Sequence, residues 1–173
     1  MQTGGPSFIT LVNTDVISIS PGLLDVGSFT VTVILSDGSL QNTYTLDVTV
    51  TNTAPTFASN PIDQIVYQGI PVSYTLPKIT DGENQPVQIS ITPVATWYTA
   101  SLTTLTMTPT VTELGSYPVD VEITDNFSSN SYSMNIIVNA NQPPLFATPL
   151  VNQVGYEGIP WTYTVPTIND PES

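Results

Sequence analysis

Apolar and polar residues alternate with period two along much of this chain. Val119-Asp120-Val121-Glu122-Ile123-Thr124 keeps the alternation for six positions, and Leu46-Asp47-Val48-Thr49-Val50-Thr51 does the same. Such alternation puts one face of a strand in a core and the other in water. Thr, Val and Ile dominate these runs, and β-branched side chains fit a pleated, half-buried surface. Helical spacing is sustained nowhere. The pattern predicts two hairpins. In the first, 29–36 pairs with 43–50 across Asp37-Gly38-Ser39-Leu40-Gln41-Asn42. In the second, 117–125 pairs with 131–138 across Asn126-Phe127-Ser128-Ser129-Asn130.

The two hairpins occupy the same place in a repeat. Pro55, Phe57, Gln64, Tyr67, Gly69, Tyr74, Pro77, Asp81 and Glu83 recur 89 residues later. They match Pro144, Phe146, Gln153, Tyr156, Gly158, Tyr163, Pro166, Asp170 and Glu172. In the other direction Gly27, Val31, Asp37 and Tyr44 recur 88 residues later at Gly115, Val119, Asp125 and Tyr132. A fixed period of this size marks a tandem array. Strands every 8–12 residues within a copy of about 89 fit a seven-strand Greek-key sandwich. The expected organisation is the C-terminal part of one domain at 1–53, a complete domain at 54–142 and the N-terminal part of another at 143–173.

Joined tail to head, the two partial copies make one nearly whole domain, short of roughly five residues. Two readings of this stay open. The chain is an excerpt of a longer array, or successive chains complete each other's split domains by donating strands. Proline marks both joints, at Asn52-Thr53-Ala54-Pro55 and Asn141-Gln142-Pro143-Pro144. Its fixed φ stiffens the crossing. Phe57 and Phe146, just beyond, are expected to plug the first strand of each domain into its core.

Composition narrows the chemistry. The chain has no Cys and no His, one cation (Lys78) and 14 acids, for a formal charge of −13. No disulfide, thiolate site or cysteine nucleophile is available, and the usual general base and zinc ligand are missing. One cation excludes a basic nucleic-acid footprint and argues against anionic membrane surfaces. No stretch approaches the roughly 20 apolar residues that span a bilayer, so no direct membrane insertion is expected of this segment. Charged residues are only 9% of the chain, against about a quarter in typical domains. Thr, Ser and Asn carry the polar surface, which suits an extracellular or cell-surface location.

The run Thr96-Trp97, Thr106-Met107-Thr108-Pro109, Gly115-Ser116-Tyr117, Ile123-Thr124-Asp125 and Asn141-Gln142-Pro143-Pro144-Leu145-Phe146 resembles a dystroglycan-type cadherin-like domain and the related Ig-type domains. The first copy agrees through Pro6-Ser7-Phe8, Gly27-Ser28-Phe29 and Ser36-Asp37-Gly38. The third agrees through Tyr163-Thr164-Val165-Pro166 and Asp170-Pro171-Glu172. The resemblance covers nearly the whole chain. It implies an all-β chain of tandem Ig/cadherin-like Greek-key sandwiches. It also implies adhesion or extracellular scaffolding and, in some bacterial members, calcium-dependent carbohydrate binding.

Cadherin-type domains hold calcium at their joints, so the resemblance makes Asp81, Glu83, Asp125, Asp170 and Glu172 candidate calcium ligands. Calcium takes six to eight oxygens, several from carboxylates. These joints carry amides where cadherins carry further acids, and Asp81 and Asp125 also fit as turn residues capping their own backbone. Both readings stay open. Asn126-Phe127-Ser128 is a glycosylation sequon at a predicted hairpin tip. Trp97 fits as the core aromatic, and Trp161, beside Pro160, as an exposed binding aromatic. Carboxylate pairs such as Asp81/Glu83 or Asp120/Glu122 supply two acids but no further catalytic group, so no enzyme is expected. Two functions remain. One is a structural or adhesive section of an extracellular filament, with other copies as partners. The other is a calcium-assisted module that binds carbohydrate or protein.

Overall fold

The computed structural model describes residues 2–172, and among them every regular element is a strand. The first copy contributes β1 (Gln2–Gly4), β2 (Ile9–Leu11), β3 (Ile17–Ile19), β4 (Gly27–Ser36) and β5 (Gln41–Val50). The second contributes β6 (Thr56–Phe57), β7 (Gln64–Tyr67), β8 (Val72–Thr75), β9 (Ile79–Thr80) and β10 (Gln88–Thr92). It continues through β11 (Tyr98–Ala100), β12 (Thr104–Met107), β13 (Gly115–Thr124) and β14 (Ser129–Asn139). The tail holds β15 (Leu145–Phe146) and β16 (Ile168–Asn169).

Both predicted hairpins form, with all four strands starting two residues earlier than expected, which shortens each loop. β4 pairs with β5 from Gly27↔Val50 to Ser36↔Gln41, leaving a loop of Asp37–Leu40. Asp37 Oδ1 accepts from the backbone N–H of Ser39 and Leu40, both at 2.9 Å, and closes that loop. Asp125 closes the β13–β14 turn in the same way, accepting from Phe127 and Ser128 N–H at 2.8 Å. An aspartate that turns back on its own backbone needs no partner elsewhere, so the pattern repeats with the sequence.

The second copy arranges its strands as β10-β13-β14-β7 and β11-β12-β8. β7 runs parallel to β14, with Val138 opposite Val66. β8 and β11 flank β12 in antiparallel pairs. The chain crosses between these two sheets from β7 to β8, from β8 to β10, from β10 to β11 and from β12 to β13, while β11–β12 and β13–β14 are hairpins within a sheet, a Greek-key order of the Ig type. Side chains follow the alternation. Val119, Val121 and Ile123 are buried, while Asp120 and Glu122 between them stand in water. Trp97 is buried, with its ring 4.7 Å from Tyr98 and 5.1 Å from Tyr117. The first copy keeps the counterpart of the second pair, Phe8 edge-on to Phe29 at 5.0 Å.

Phe8 precedes Trp97 by 89 residues but Phe29 precedes Tyr117 by 88, and this change has a local cause. Leu11 faces Ile17, which leaves five residues in that turn, whereas Ala100 faces Leu105 across four. The first copy therefore carries one extra residue between β2 and β3.

By contacts the chain divides into two compact units. One comprises Met1–Ser59, Lys78–Ile89 and Glu122–Ser131, and the other Asn60–Pro77, Ser90–Val121 and Tyr132–Ser173. The first unit thus contains the whole joint between the first and second copies. The tail departs from expectation in one respect. Phe57 is buried as predicted, but Phe146 is largely exposed. Phe57 lies in the copy that carries β6 to β14, whereas the tail has only β15 and β16, paired with each other.

Candidate functional site

The joint after β5 is a hydrogen-bonded knot and not a free linker. Asn52 donates from Nδ2 to Asp125 Oδ2 at 2.8 Å and to Ser128 Oγ at 2.7 Å. Thr53 gives its hydroxyl to Glu83 Oε1 at 3.0 Å and its backbone N–H to Oε2 at 3.4 Å. Pro55 is buried, and its carbonyl accepts from Asn130 Nδ2 at 2.9 Å. Gln85 reaches back to the Leu23 carbonyl at 2.9 Å. Proline gives this crossing its fixed φ, and side chains from β14, the β13–β14 turn and the 81–85 turn hold it in place.

Burial pushes the Asp125 carboxyl up, but the Asn52 amide and the Ser128 and Phe127 backbone N–H groups outweigh it. The group is held below the usual carboxylate range. Donors aimed at a carboxylate favour its charged form. Asp37, its exposed counterpart, is also lowered, by the Leu40 and Ser39 N–H groups.

Asp81 uses Oδ1 to accept from Glu83 N–H at 3.1 Å and Gln85 N–H at 2.8 Å. The turn reading of Asp81 and Asp125 is therefore correct for one oxygen of each. Asp81 Oδ2, Asn52 Oδ1 and Gln85 Oε1 are buried and accept no hydrogen bond. Buried polar atoms are almost always paired, so three unpaired acceptors in one joint call for a donor or a cation. Among the described residues no three Asp or Glu side chains gather as a metal cluster. Any cation here would rest on mixed amide and carboxylate oxygens. A cavity of about 290 Å³ opens beside them, lined by Pro21, Leu23, Val26, Val50, Glu83 and Gln85 among others.

The second joint repeats part of this geometry. Gln142 N–H donates to Glu172 Oε1 at 3.2 Å, as Thr53 N–H does to Glu83, and Glu172 N–H donates to Asp170 Oδ1 at 3.1 Å. Glu172 Oε2 is buried without a partner.

The other predicted residues are scattered. Asn126 is exposed at the hairpin tip with φ 75°, its Oδ1 accepting from Gln88 at 3.2 Å. Trp161 is exposed and lies over Gly155, where an added Cβ would meet its Nε1 at 2.4 Å. Asp120 and Glu122 face solvent, and Asp120 takes the Ser133 hydroxyl at 2.5 Å. A groove of about 350 Å³ lined by Gly69, Pro71, Thr108, Pro109, Thr110 and Val111 carries no charged side chain. Sequence reasoning missed Gln85, a buried polar residue of the joint. Position 85 has no counterpart 89 residues away in either direction, so the repeat gave no signal there.

No family model matches the chain, and no curated protein matches it in sequence. Among solved structures it is similar to an endo-fucoidan hydrolase from glycoside hydrolase family 107, at 17% identity and a TM-score of 0.44. That match covers 87% of this chain and 26% of the hydrolase, so the chain spans about a quarter of the hydrolase's length. It is also similar to the titin domains Z1Z2 in complex with telethonin, at 15% identity and a TM-score of 0.41, covering 79% of this chain and 74% of that one. Sidekick-1 immunoglobulin domains 1–5 match at 16% identity and a TM-score of 0.41, over 78% of this chain and 30% of theirs. These TM-scores are too low to carry an argument, and the Ig-like class rests on strand order and burial.

Proposed function

We propose that this chain is a structural or adhesive segment of an extracellular, cell-surface filament built from tandem Ig/cadherin-like domains of the dystroglycan type. Its domains are 1–53, 54–142 and 143–173, its partners are other copies of the same or similar proteins, and it performs no catalysis. The observation that carries this reading is the knotted joint: Asn52 on Asp125, Thr53 on Glu83 and Pro55 under Asn130. A joint that uses side-chain hydrogen bonds, some of them part-buried, to fix a crossing gives a semi-rigid rod, because the linker's freedom is what a flexible string would need. The second joint has the same 142-to-172 bond. Negative-stain images should show elongated particles or fibres. Compact particles with no strings would contradict the reading.

A second reading is favoured by the unpaired Asn52, Asp81 and Gln85 oxygens. They suit a weak calcium site that stiffens the joint, with Asp81, Glu83 and Asp125 supplying negative charge and Asp170 and Glu172 the equivalent pair in the tail. Such a module would bind carbohydrate or protein with calcium's help, and Trp161 is its candidate aromatic. A glycan array with and without calcium tests it, and silence in both arms would remove it.

A further inference from the structure

The tip of the β13–β14 hairpin carries the chain's only Asn-x-Ser/Thr triplet, Asn126-Phe127-Ser128. The first copy has an equivalent tip, and it shows what the turn itself demands. There Asp37 Oδ1 accepts from Ser39 and Leu40 N–H, and Asp37 N–H donates to Leu40 O at 3.2 Å. Asp125 does the same with Phe127 and Ser128, and its N–H donates to Ser128 O at 3.3 Å. Gly38 stands where Asn126 stands, with φ 94° against 75°. The turn therefore asks that position only for a left-handed backbone, which glycine supplies freely and asparagine tolerates. It makes no use of an amide side chain.

Asn126 is exposed, and its amide is held through the oxygen alone, Oδ1 accepting from Gln88 Nε2 at 3.2 Å. That leaves Nδ2 clear, and Nδ2 is the atom to which an N-linked sugar attaches. The third position of the triplet differs. Leu40 closes the first turn without a hydroxyl, but the hydroxyl of Ser128 is engaged. Its Oγ accepts from Asn52 Nδ2 at 2.7 Å and lies 3.4 Å from Asp125 Oδ2. The Ser128 carbonyl also takes the Thr124 hydroxyl at 3.0 Å. In the folded chain the acceptor nitrogen is free, while the rest of the motif is tied into the turn and the joint.

We propose that Asn126 carries an N-linked glycan and receives it before the first joint closes. The donor is an oligosaccharide joined to a lipid through diphosphate. A bond forms between Asn126 Nδ2 and C1 of the first sugar, the bond from C1 to the diphosphate oxygen breaks, and the lipid diphosphate leaves. The nitrogen gives one proton to a base of the transferase. The acceptor motif needs both its asparagine and its hydroxyl, and that hydroxyl is occupied once Asn52 has docked on Ser128. Transfer therefore comes first. The finished glycan needs no rearrangement, because it replaces one hydrogen of Nδ2 and the turn is closed through other atoms. A bulky, solubilising chain there keeps other molecules off the hairpin tip beside the joint.

This inference rests on the extracellular location in the reading above. The test puts the full chain behind a secretion leader in a eukaryotic host, which supplies that location. Secreted wild type should be heavier than 18.5 kDa. Peptide N-glycosidase should return it to about that mass and leave an aspartate at position 126. Ser128→Thr keeps the motif and should also be modified. Asn126→Asp keeps a side chain that tolerates the left-handed backbone and should gain nothing. The order of events is read in vitro, with the transferase and lipid-linked donor acting on unmodified chain from a bacterial host. Folded wild type should stay unmodified, and Asp125→Ala, which opens the turn, should be modified. Equal modification of both, or of neither, overturns the order. Secreted wild type at 18.5 kDa, or glycosidase-sensitive carbohydrate on Asn126→Asp, overturns the site. Either failure leaves the filament reading standing, because the host supplied the location. That reading fails separately, on compact particles in negative stain.

Discussion

Asn52 Nδ2 lies 2.8 Å from Asp125 Oδ2 and ties the second residue past β5 to the hairpin turn of the following copy. The bond is neutral to charged and partly buried, a class worth about 1.5–3 kcal/mol. Asn52→Ala should therefore lower stability by about 1.5–3 kcal/mol in chemical denaturation, by leaving a buried carboxylate short of one donor. Asn52→Asp should cost at least as much in calcium-free buffer, because it places a second carboxylate against the first. Equal stability of the three proteins would mean that the bond does not form.

Acid should loosen the same joint. Burial raises the Asp125 carboxyl, but the Asn52 amide and the turn N–H groups hold it below its ordinary value in the folded chain. A depressed folded value means that the stabilisation is fully present above the unfolded value, about 3.9. It is lost as pH falls through the lower folded value. Melting temperature should change little through Asp125 from pH 7 to about 4.5 and fall below that. Asp125→Asn should be less stable at pH 7 and show a shallower acid limb. Parallel acid limbs in the two proteins would contradict the assignment.

Calcium gives a third test. Asn52 Oδ1, Asp81 Oδ2 and Gln85 Oε1 are buried acceptors without donors. If a cation fills that role, calcium at about 100 times its dissociation constant adds about 2.7 kcal/mol, enough to raise the melting temperature by several degrees. Asp81→Asn keeps an oxygen for the turn and should abolish the rise. No shift at about 10 mM calcium, well into the range of extracellular sites, would remove the metal from the joint.

Gly155 and Trp161 form a size exchange with the second copy, where their counterparts are Val66 and Val72. Val66 fills its own buried site, whereas the indole of Trp161 covers Gly155, with room for no Cβ. Gly155→Val should push the indole into water. In a Trp97→Phe background, leaving Trp161 as the only tryptophan, its emission should shift to the red. An unmoved spectrum would show that Trp161 does not rest on Gly155.

Much of this structure was legible beforehand, for physical reasons. Period-two runs specified β4, β5, β13 and β14, because a one-residue slip would turn every apolar side chain outward. The repeat identified Asp37 and Asp125 as equivalent, and both close their turns as aspartates do. The exposure of Phe146 was not legible. Burial belongs to the strands across from a residue, and 89-residue identity with Phe57 cannot report strands that lie elsewhere. Gln85 was invisible for a related reason: a polar side chain with no counterpart in the repeat reads as surface until its partner, the Leu23 carbonyl, is placed.

The central claim is that the first joint is held and not hinged, and backbone amide relaxation by NMR tests it most directly. Asn52, Thr53 and Ala54 should show order parameters near those of β13 and β14, about 0.85. Values below about 0.6 at these three residues, with the strands rigid on either side, would describe a flexible linker and contradict the claim.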